Sequence, residues 1–128
     1  MKAMFGLAML TAAAALTLAA CGGSSSGGSG NAAKGKDLFT SKQCVTCHAL
    51  SSVPASASAS IGPKQDGIGT RAGTTIPGTT AEAYIRQSIK EPNAFIAPGY
   101  TSPSLMVLPV PVTDAEINDL VAFLLTQK

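Results

Sequence analysis

Cys44-Val45-Thr46-Cys47-His48 is the stretch around which this chain is organised. Two cysteines separated by two residues and followed at once by a histidine form the spacing of covalent haem attachment. Each thiol can add to one vinyl group of a porphyrin edge, and the short Val45-Thr46 bridge lets both reach the same side of one macrocycle. His48, carried by that double tether, is the expected proximal ligand to the iron. Other uses of the pair fit less well. Structural zinc commonly draws on two Cys pairs, or two Cys and two His, whereas the chain holds three Cys and one His. A thioredoxin-like redox pair stays open, although nothing here suggests the βαβ pattern that such a fold requires.

Outward from the motif, the N-terminal side is not globular. Met1-Lys2 gives a positive start, and Ala3 to Ala20 is almost wholly apolar and uncharged, the pattern of an export segment over residues 1–20. Its end, Leu18-Ala19-Ala20-Cys21, resembles a bacterial lipoprotein processing site, which makes Cys21 the expected lipidated first residue of the mature chain. An uncleaved anchor is the alternative, because a bilayer span takes about 20 apolar residues. Both readings tether the protein to a membrane and place it outside the cytoplasm. Residues 21–31 then read as the lipidated cysteine and a flexible tether, since Gly22 to Gly30 is all Gly and Ser and cannot bury apolar surface. The globular domain is expected over 32–128.

Nine Lys and Arg, Lys2 among them, face seven acids, and there is no Trp. A mature chain so nearly neutral has no basic stripe and little to stack on bases, so nucleic acid is not an expected partner. The fold should be all-α, with three or more helices and connecting loops. Asn31 caps a first helix through Phe39, in which Gly35 implies close approach by another element, unless it is merely tolerated near a frayed end. A second readable helix runs from Thr80 to Lys90, with Tyr84, Ile85, Ser88 and Ile89 on its inner side. The clearest is the last: Thr113-Asp114-Ala115-Glu116 is a capping box, followed by Ile117, Leu120, Val121, Leu124 and Leu125 at helical spacing. Ser51 to Ser60 reads as a solvated insertion, and Gly62-Pro63 and Gly67-Ile68-Gly69 as loop. So small a domain is marginal on its own core, and one covalent haem supplies apolar mass.

The far side of the iron decides what it can do. There is no second histidine, and of the four methionines Met1, Met4 and Met9 lie in the export segment. Met106, in a proline-rich loop, is thus the expected second ligand, with gap-filling in the core as its alternative. A saturated iron suits one-electron transfer, and no acid-base pair or second haem accompanies it, so a carrier is expected and not an enzyme. An open-site enzyme or sensor would need Met106 unbound or displaceable.

Gly35-x-x-Leu38-Phe39, the Cys44 to His48 motif, Gly62-Pro63, Gly67-Ile68-Gly69-x-Arg71, the Tyr84-Ile85-Arg86 helix and the Met loop together resemble the small class I c-type cytochromes. That resemblance implies first and last helices crossing at Gly35 against Leu120 and Val121. It implies a Pro63 carbonyl that orients the His48 ring, and Arg71 and Tyr100 near the haem propionates. Asn93 to Tyr100 is similar to the segment before the ligand Met in cytochrome c domains of oxidase subunit II and of alternative complex III. There Met is usually followed directly by Pro, whereas here Val107 and Leu108 intervene. The partners implied are a redox donor and acceptor, met either by a tethered carrier or by a fixed subunit of a respiratory complex.

Overall fold

The computed structural model describes residues 30–128. The export segment, Cys21 and nearly all of the Gly/Ser run lie outside the described residues. Four α-helices carry the fold: α1 (Ala32–Ser41), α2 (Ile68–Thr75), α3 (Ala81–Lys90) and α4 (Asp114–Leu125), with 3-10 turns at Cys44–Thr46 and Pro54–Ser56. Among the described residues there is no strand, and no helix is long and apolar enough to cross a membrane.

Local chemistry sets the helix starts. The Asn31 side chain accepts from Lys34 N–H at 3.0 Å, and Thr80 accepts from Ala83 N–H at 3.1 Å. At α4 the capping box is complete: Thr113 Oγ1 accepts from Glu116 N–H, and Glu116 Oε2 accepts from Thr113 N–H at 2.8 Å. Pro92 follows the end of α3, where no helix can continue through it.

α1 packs against α4, and the crossing is at Gly35. A Cβ there would run into the Asp119 carbonyl oxygen and come within 2.6 Å of Phe123 Cβ. The nearest atoms belong to Asp119 and Phe123, which flank the expected Leu120 and Val121 along α4, and those two side chains are buried at 2% and 0% exposure. Phe39 and Phe123 meet edge to face at 6.0 Å between centroids. Buried aromatic and aliphatic side chains of this size contribute about 1.5–3 kcal/mol each, so this seam is a principal support of the domain. Gly30 and Asn31, assigned to the tether, are part of it. Gly30 lies against the Asn118 and Asp119 backbone, and Asn31 N–H donates to Asp119 Oδ1 at 2.6 Å.

Two expectations need correction. Ile68–Thr75 is a helix, not a loop, with Ile68, Gly69 and Ala72 buried. The final residues hold it, Gly69 N–H donating to Gln127 O at 2.8 Å and Lys128 Nζ to Gly69 O at 3.2 Å. Nor is Ser51 to Ser60 wholly solvated. Val53 is in the core, and fully buried Ser56 folds the turn, its Oγ accepting from Leu50 N–H at 2.8 Å with Val53 O at 2.7 Å as its nearest acceptor.

Candidate functional site

After α1, Gln43 takes a left-handed conformation (φ 63°) that few non-glycine residues adopt. It turns the chain into Cys44–Thr46, where Cys47 N–H donates to Cys44 O at 3.2 Å and His48 N–H to the same oxygen at 3.0 Å. Cys44 opens this turn and Cys47 caps it, which brings the two cysteines to the two ends of one short turn. Both thiols are free and half-buried. Burial, with a smaller push from Cys47, raises the Cys44 pKa to about 11.

The His48 ring is held on two sides. Its Nδ1 lies 2.8 Å from Pro63 O. Gln65 Nε2 is 2.9 Å from that oxygen and 3.0 Å from Nδ1. A carbonyl oxygen only accepts, so Nδ1 carries the proton, both groups donate to Pro63, and Nε2 keeps its lone pair. Burial lowers the His48 pKa and the Pro63 bond offsets part of that, leaving a neutral imidazole at pH 7. Against the ring face lies Gly62, where a Cβ would come within 2.5 Å of Cε1 and 2.8 Å of Nδ1. Only a glycine lets the 62–65 segment lie that close.

That segment is itself fixed. Gly62 N–H donates to Cys47 O and Gln65 N–H to Ala49 O, each at 2.8 Å. From α2, Arg71 donates to the carbonyls of Lys64 and Asp66, on either side of Gln65. Cys44, Cys47, His48, Pro63 and Arg71 thus form one connected unit. Gln65 belongs to it too, and no pattern in the sequence singles that residue out.

Met106 and Tyr100 lie on the separate limb between α3 and α4. Met106 is half-buried, its N–H donated to Ser104 Oγ at 3.0 Å. Leu108 and Val112 tie the limb to the core. Tyr100 is 41% exposed, with its N–H donated to Ala97 O at 3.2 Å.

Two free thiols three positions apart, followed at once by an imidazole whose Nε2 keeps its lone pair, are a donor set that fits a covalently bound haem. Among the described residues no group of three or more His, Cys, Asp or Glu is placed to hold a metal ion. An all-α domain with a Cys-x-x-Cys-His turn defines the class of small covalent-haem proteins. The family profile described as cytochrome c matches residues 32–128, and the chain belongs to the cytochrome c family. No curated protein matches it significantly. Membership makes the protein a carrier of electrons on one covalent haem c, of a kind exported and loaded outside the cytoplasm.

Proposed function

We propose that the protein is a membrane-tethered monohaem cytochrome c that passes single electrons between redox proteins in a respiratory or photosynthetic chain. Cys44 and Cys47 attach the haem, His48 Nε2 and Met106 Sδ ligate the iron, and Cys21 carries the lipid. The haem, when bound, supplies a one-electron couple. The protein holds the ligands still while the charge changes. Pro63 and Gln65 fix the tautomer and plane of His48, and Gly62 leaves the ring room. A thioether is a weak donor to ferric iron, so Met106 favours the ferrous form and raises the potential. Near-neutral charge gives little long-range steering toward a partner, and the lipid tether supplies proximity in its place.

The observation that carries this reading is the Pro63 bond to His48 Nδ1 at 2.8 Å, which puts the proton on Nδ1 and keeps the Nε2 lone pair for a ligand bond. Its test is the ferric spectrum, together with membrane fractionation. The wild type should show the weak far-red sulfur-to-iron band, Met106→Ala should lose it, and Cys21→Ser should accumulate as unprocessed precursor or leave the membrane. A Met106→Ala protein that keeps the band refutes the ligand, and a Cys21→Ser protein that stays just as membrane-bound with no unprocessed precursor accumulating refutes the lipid anchor. Leu105 and Val107, 65% and 79% exposed on either side of Met106, favour a second reading as a fixed subunit of a quinol-oxidising or oxidase complex. Stoichiometric migration with a large assembly in mild detergent would select it.

A further inference from the structure

From Glu91 to Thr113 the chain runs without a helix, and a ligand borne on so long a segment must be held by something other than secondary structure. We infer that Asn93 and Ser104 are positioning residues for Met106. The inference rests on the proposal that Met106 ligates iron.

Ser104 N–H donates to Asn93 Oδ1 at 2.7 Å, across eleven positions of sequence. Ser104 Oγ accepts the Met106 N–H at 3.0 Å. The two bonds form a relay. Asn93 lies in the turn that leaves α3, where Ala94 N–H donates to Glu91 O at 2.8 Å. Two residues on, Phe95 packs edge to face on Tyr84 of α3 with centroids 5.8 Å apart. The relay carries this fixed point across the open loop to the backbone of Met106. On the far side Lys42 Nζ donates to Pro111 O at 2.8 Å and anchors the exit. Between the anchors, Leu105 and Val107 point to solvent. The immediate neighbours of Met106 do not pack on the core, which Leu108 reaches two residues on, so the relay bonds help set where the Met106 backbone stands. Asn93 is exposed and Ser104 half-buried, so the relay can be cut without opening the core.

Loss of one such bond shifts a local equilibrium by roughly two- to tenfold. The test uses the haem-loaded protein as wild type, Asn93→Ala, Ser104→Ala, Ser104→Thr and Met106→Ala. The readings are the far-red ferric band and imidazole binding by spectral titration. Both relay-cutting alanine variants should bind imidazole about two- to tenfold more tightly than wild type and lose the band at lower temperature. Ser104→Thr, which keeps the acceptor oxygen, should match the wild type. Wild-type imidazole affinity in Asn93→Ala and Ser104→Ala, with the band present in wild type and absent from Met106→Ala, overturns the positioning roles and leaves the ligand standing. An equal rise in Ser104→Thr makes the effect one of packing and also overturns them. No band in the wild type removes the ligand reading and this inference with it.

Discussion

Replacing Gly35 by alanine adds one methyl group where α1 crosses α4, and the structure says what that group meets. The new Cβ would strike the Asp119 carbonyl oxygen and lie 2.6 Å from both the Asp119 carbonyl carbon and Phe123 Cβ. Ordinary contact begins at 3.4 Å, so the helices must part by about 0.8 Å or more. Two of the three atoms are backbone and cannot swing aside. Overpacking of this sort costs roughly 1–3 kcal/mol, and rigid neighbours place it near the top of that range. Alanine returns about 1 kcal/mol of helix propensity. The net loss is then about 2 kcal/mol, or about 8–16 °C in Tm for a domain of this size. Thermal unfolding of the haem-loaded protein, with exposed Lys36→Ala as the control, measures it. A Gly35→Ala protein as stable as wild type, or more so, would refute the argument, because only the propensity gain would then remain.

At Gly62→Ala the methyl group presses on Cε1 and Nδ1 of His48, and a loss of about 1–3 kcal/mol is expected from the urea midpoint. An unchanged midpoint with an unchanged spectrum would show that the ring has room. For acid stability, the Thr113 N–H first and Lys42 second hold the Glu116 carboxyl below its ordinary range. A depressed folded pKa gives stability that is complete above the unfolded value and lost as pH falls through the folded one. Wild type should therefore lose stability more steeply than Glu116→Gln between about pH 5 and about pH 3, and parallel curves would show that Glu116 contributes nothing there.

The readable parts of this sequence are those in which a few adjacent residues settle the outcome. The capping box at Thr113 and the Asn31 and Thr80 caps act within one turn, and the cysteine spacing acts within five residues. Ile68–Thr75 was not legible because Gly69, Gly73 and three threonines give it poor intrinsic propensity. Contacts from Gln127 and Lys128, far along the chain, hold it in shape. Ser56 misleads for the same reason: a serine among serines and alanines reads as solvated until Leu50 and Val53 supply its partners. Gln65 had no signal at all, since its importance comes from standing beside a carbonyl that His48 also uses. For Arg71, the bonds from its guanidinium to the Lys64 and Asp66 carbonyls carried no local signal in the sequence.

The α1–α4 seam also has a consequence in time. Asn31 finds Asp119 across 88 positions, and Phe39 finds Phe123, so the seam cannot close on a nascent or translocating chain until its far end has emerged. Through that interval Phe39 and the Gly35 groove have no partner. Cys44 and Cys47 come out long before α4 does, and they are therefore open to solvent and to any attachment machinery before the domain shuts. Once it has shut, burial raises the Cys44 pKa to about 11, which lowers an already small thiolate fraction. The order of the elements along the chain thus leaves the Cys44–His48 turn accessible before the helix that completes the seam has emerged.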